Sequence, residues 1–80
     1  MKRKQFLIIV YTPHSEWGVV QKSRRDAVIL ANHLMKDVAS NINRIEILET
    51  SSLWSAVDAK SVIAWDLQMT GDKIFWRVAE

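Results

Sequence analysis

The chain is predicted to fold as an α+β domain, with one long helix packed on a four- to five-stranded, mostly antiparallel sheet. The expected order is strand, helix, strand, short helix or loop, strand, strand. Three observations carry this prediction. Only Ser23 to Ser40 (SRRDAVILANHLMKDVAS) holds helical periodicity over several turns. The segments on either side are β-branched and aromatic runs of strand length. The C-terminal segments, Ser61 to Met69 and Lys73 to Ala79, flank Gly71-Asp72, a favourable two-residue hairpin turn.

Gln5 to Thr12 (QFLIIVYT) is the strongest strand. Alternation puts Phe6, Ile8 and Val10 on one face and Leu7, Ile9 and Tyr11 on the other. Both faces are apolar, which marks an interior strand buried on both sides. One helix covers one face only, so loops, curling of the sheet or another chain must cover the second. Pro13 to Lys22 (PHSEWGVVQK) is longer than the usual strand-to-helix loop of roughly 2–6 residues. Within it, Val19-Val20-Gln21 is expected as a brief strand folding back on the first, with Trp17-Gly18 as the turn.

Ser23 followed three residues later by Asp26 makes a capping-box-like helix start. At about 100° per residue, Ala27, Leu30, Ala31, Leu34, Met35 and Val38 gather on the core side. Arg25, Asn32 and Lys36 gather opposite, with Ile29 among them. Asn41 is a plausible C-terminal cap. Arg44 to Thr50 (RIEILET) follows as a strand with Ile45 and Ile47 inward, Glu46 outward, and Leu48 breaking the alternation. Ser51 to Lys60 is either a short helical turn capped by Ser51 or Ser52 or a loop, with Leu53, Ala56 and Val57 spaced to dock on the core. In the terminal hairpin the turn sets the register. Trp65 falls opposite Val78, Leu67 opposite Trp76 and Met69 opposite Ile74, all on a core face, while Asp66 and Arg77 form an ion pair on the other.

Eighty residues make a single domain, 1–80, near the lower limit of a self-sufficient core. Absence of cysteine removes both disulfides and thiolate metal sites. No run approaches the roughly 18 apolar residues of a membrane span. The start MKRKQFLIIVY has a basic cap, but its apolar run is short and no small-residue cleavage site follows. It is therefore read as a strand and not as a signal peptide, and a cytoplasmic location is expected.

Chemistry is sparse. His14 and His33 have no carboxylate at a recognised ligand spacing. Ser15 beside His14 lacks a third group and an oxyanion site, and Gly18 and Gly71 do not make a phosphate loop. No catalytic residue, metal or cofactor is assigned, and the chain is not expected to be an enzyme.

Charge is more informative. Residues 1–40 carry seven Lys/Arg against three Asp/Glu, a net +4; residues 41–80 carry four against six, a net −2. Lys22, Arg24 and Arg25 crowd the helix N-terminus, where free N–H groups favour anions, and Lys2, Arg3 and Lys4 add a second cluster. Trp17 and Trp54 fall in the two connecting segments, each either a lid over the sheet or an exposed anchor.

In length, basic helix start and lack of chemistry, with SRRDAVILANHL its most recognisable part, the chain resembles small phage and mobile-element proteins. Some anti-CRISPR proteins and small inhibitors of host polymerase have this one-helix-on-a-sheet layout. The resemblance implies a binding protein that inhibits a host system by occlusion. From the charge layout and the apolar residues beside it, the first expectation is a non-enzymatic protein that recognises a protein or nucleoprotein partner through Trp17, Lys22, Arg24, Arg25, Ile29 and Trp54. The second is a nucleic-acid-binding module using Lys2, Arg3, Lys4, Lys22, Arg24 and Arg25. The third is a symmetric homodimer that buries the second face of the first strand.

Overall fold

A computed structural model of the chain describes residues 5–37, 41–50 and 60–79. In chain order the elements are β1 (Gln5–Tyr11), β2 (Glu16–Gln21), α1 (Arg24–Met35), β3 (Arg44–Thr50), β4 (Lys60–Thr70) and β5 (Lys73–Ala79). All five strands join one sheet in the order β2-β1-β3-β4-β5, and every neighbouring pair is antiparallel. The α+β prediction therefore holds, with five strands and one helix among the described residues.

Register explains the core. Ile8 lies opposite Val19 on β2 and Ile47 on β3, and Val10 lies opposite Trp17 and Ile45. Opposed residues share a face, so Phe6, Ile8, Val10, Ile45 and Ile47 line one side, continued on β4 by Ile63 and Trp65. Ile8, Val10, Ile45 and Ile47 are fully buried with Ala27 and Ala31 of α1. Two alanines on the inward stripe let the helix backbone lie close to the sheet. Leu30, Leu34 and Met35 pack around this centre, as do Trp65 and Trp76.

Residues 12–15 make the first reversal, and this corrects the turn expected at Trp17-Gly18. The Thr12 amide donates to the Ser15 carbonyl at 2.8 Å, and the Ser15 amide donates to Thr12 Oγ1 at 3.0 Å. Pro13 presets the backbone of the second turn position. Thr-Pro-His-Ser thus satisfies its own polar groups, which Trp-Gly has no side chain to do. Trp17 and Gly18 instead pair within β2, opposite Val10 and Ile9. A Cβ on Gly18 would sit 3.2 Å from Leu7 Cδ1, so the missing side chain makes room for Leu7.

The helix begins as predicted. Ser23 is extended (φ −138°, ψ 156°) and its Oγ accepts from the Asp26 amide at 3.1 Å. It ends earlier than predicted, at Met35, after twelve residues. The Lys36 amide donates to the His33 and Leu34 carbonyls and the Asp37 amide to the Leu34 carbonyl, which tightens the last turn. Trp76 Nε1 then donates to the Met35 carbonyl at 2.9 Å, satisfying an acceptor with no partner inside the helix. Asn41 is not the helix cap. It takes the left-handed conformation (φ 56°) just before β3. Val38, and the short helical turn or loop expected at 51–60 apart from Lys60, lie outside the described residues.

Between β3 and β4 the register slips at Ile47/Leu48, so Ile47 faces Ile63 but Leu48 faces Ser61, leaving Val62 as the extra residue of a bulge. Leu48 is also opposite Leu7, which faces Val20 in turn. Its apparent break in pattern is membership of the second face.

The β4–β5 hairpin has the predicted register throughout, closed by Gly71 at φ 61°. Its predicted core face is not fully covered, however: Met69 is 73 % exposed, Ile74 58 % and Val78 51 %. Placement is the reason: α1 packs on β1, β2 and β3, so β5 lies to its side, and the tip of the hairpin, from Leu67 on, runs past the end of β3.

Candidate functional site

The basic cluster at the start of α1 is assembled by two elements. Lys22 directly follows β2, and the first turn of α1 carries Arg24 and Arg25. All three are exposed, and among the described residues their side chains form no ion pair. Ile29 follows Arg25 by four residues, hence on the same helix face, and is 45 % exposed. The structure therefore brings Lys22, Arg24, Arg25 and Ile29 onto one margin.

Trp17 is separated from that margin. It sits near the opposite end of β2, five residues and about 17 Å along the strand from Lys22. It is 41 % exposed on the helix-facing side of an edge strand, neither sealed over the sheet nor fully free. Trp54, Lys2, Arg3 and Lys4 lie outside the described residues.

The sheet's other face carries a polar row that crosses every strand: Glu16, Tyr11, Arg44, Asp66 and Arg77 are successive partners from β2 to β5. Asp66 does face Arg77 as the hairpin register requires, but its carboxylate accepts from Arg44 at 2.7 Å instead of pairing across the hairpin. Arg44 also approaches Glu46 at 3.9 Å and stands 6.0 Å from the Tyr11 ring centre, within cation–π range. The hydrogen bond to Asp66 holds the guanidinium above even its ordinary high pKa. Partial burial, then the Glu46 and Glu16 carboxylates, push the Tyr11 phenol up, against a smaller opposing pull from Arg44. Arg44 has taken the carboxylate that sequence reasoning assigned to Arg77. The β3–β4 register that decides this comes from a long-range pairing that no turn announces.

A third feature was missed because its residues read as core. An apolar groove of about 440 Å³ lies at the C-terminal end of α1, between Met35, Ile42, Leu67, Met69, Ile74 and Trp76.

His14 is exposed in the first turn and His33 in the last turn of α1. Among the described residues no three His, Asp or Glu side chains come together as a metal site, and no helix is long and apolar enough to cross a membrane. No protein family, curated protein or solved structure matches this chain.

Proposed function

We propose that this chain is a non-enzymatic binding domain that recognises an acidic surface of a protein or nucleoprotein partner and acts on it by occlusion. The observation that supports this best is the margin at the start of α1. There Lys22, Arg24 and Arg25 have no ion-pair partner among the described residues, beside Ile29, which is 45 % exposed. Unpaired cations next to the free amides of a helix start favour an anion, and an adjacent apolar side chain adds a contact that a small ion would not use. Trp17, farther along the same sheet edge, would make a peripheral contact.

The test is capture by the immobilised full chain from extracts of its source cells, repeated with the R24E/R25E double variant and with I29E. A partner retained by the wild type and lost by both variants supports the reading. Equal retention by the variants removes this margin from recognition. The same cations favour phosphates as a second reading, in which a labelled DNA or RNA strand binds with affinity that falls steeply as salt rises. No binding to either nucleic acid at low salt eliminates it.

A further inference from the structure

Strand β5 ends the sheet on one side, with no strand beyond it among the described residues. In an antiparallel pair, alternate residues bond the neighbour while those between direct their backbone groups away. Gly71-Asp72 is a two-residue turn, so the flanking Thr70 and Lys73 form the hydrogen-bonded closing pair. Counting from that pair, Phe75, Arg77 and Ala79 bond to β4, and Ile74, Trp76 and Val78 offer N–H and C=O groups outward.

Edge strands are usually protected by proline, a bulge or charge. β5 has no proline and its pairing with β4 is unbroken; its two charges, Lys73 and Arg77, are on residues that bond to β4, and the three outward-bonding residues are all apolar. Ile74 and Val78 are each more than half exposed on one face, and Phe75 is 44 % exposed on the other. By contrast, Leu7 and Ile9, on the second face of β1, are half-buried.

We propose that β5 pairs antiparallel with β5 of a second copy about a twofold axis at Trp76, so that the two sheets become one. Backbone parity, charge and overlap select this register: axes at Ile74 or Val78 also avoid like-charge pairs but leave only three residues of β5 paired, against all seven about Trp76. Keeping outward-bonding residues opposite one another restricts the axis to a residue of β5. An axis at Phe75 sets Lys73 against the second copy's Arg77, and an axis at Arg77 sets that residue against itself. The axis at Trp76 avoids both like-charge contacts. It pairs Ile74 with the second copy's Val78 and lays Phe75 against the second copy's Arg77, an aromatic–cation contact.

The same axis accounts for the groove. Trp76 Nε1 is bonded to the Met35 carbonyl, so both helix ends flank the axis on one face of the joined sheet. Ile74, which lines the groove, then meets an apolar residue of the other chain. This assembly uses the sheet edge opposite β2 and does not depend on the helix-start reading.

Sedimentation of the full chain over a wide concentration range tests the proposal. The expected result is a mass rising to twice the 9.3 kDa of one chain. In the I74K/V78K double variant the new charges repel in this register, and the dimer is lost. In I74E/V78K the same positions attract, and the dimer returns in a salt-sensitive form. Both positions are largely exposed, so the circular dichroism of each variant should match the wild type. Independently of any variant, amide exchange at Ile74, Trp76 and Val78 should slow as wild-type concentration rises. A wild type that stays monomeric, a dimer indifferent to I74K/V78K, or no recovery in I74E/V78K overturns the proposal.

Discussion

An alanine at Gly71 must adopt a backbone with φ 61°, a conformation that costs an L-residue about 1 kcal/mol. G71A should lower stability by that amount. Gly18 has no such constraint. Its new Cβ meets the far end of Leu7, a half-buried side chain able to turn aside. The unfolded chain loses freedom at the same time, so G18A should raise stability by about 0.5 kcal/mol. Urea midpoints of the two variants should therefore move in opposite directions, and a shift of the same sign in both would refute this account. Tyr11 gives a second prediction at this scale. Its phenol is held above the ordinary value of about 10, so above that pH the unfolded chain loses its proton first. The stabilisation is complete below about pH 10 and is lost as pH rises through the folded-state value. Alkaline urea titrations should show the wild type losing more stability than Y11F. Sequence alone placed Tyr11 on the second face of its strand, but not beside Glu46 and Arg44. Those neighbours come from a strand thirty-odd residues away.

The helix shows the same division within one element. Its start was legible because Ser23 and Asp26 are three residues apart and the cap is a local hydrogen bond. Its end was not, because Trp76 lies forty-one positions from Met35, whose carbonyl it takes. The two ends should still respond alike. S23A removes the capping oxygen and should cost about 1 kcal/mol, and W76F, which keeps the ring but not the donor, should also cost about 1 kcal/mol. Thermal denaturation would measure both, and a neutral W76F would mean that water replaces the indole at the carbonyl. The turn at 12–15 was misplaced for a related reason. Trp-Gly is a plausible turn by composition, but Thr12 and Ser15 bond each other across Pro13 and reverse the chain first.

In the whole molecule, α1 lies over a sheet that extends beyond it. If β5 pairing buries what the helix leaves open, folding and association are linked, and the melting temperature should rise with protein concentration. The I74K/V78K variant should melt at one temperature whatever its concentration. A concentration-independent wild-type midpoint would argue against the linkage. The sequence by itself determined the hairpin register, the helix start and the two apolar faces of β1. Each is written in turns, caps and alternation that act between residues near in the chain. Tertiary structure alone decided the strand order, the capture of Asp66 by Arg44 and the seat of α1 on β1, β2 and β3, which leaves Met69, Ile74 and Val78 uncovered. Alternation assigns a residue to a face, but how much of that face is covered depends on which elements pack there and how far they reach.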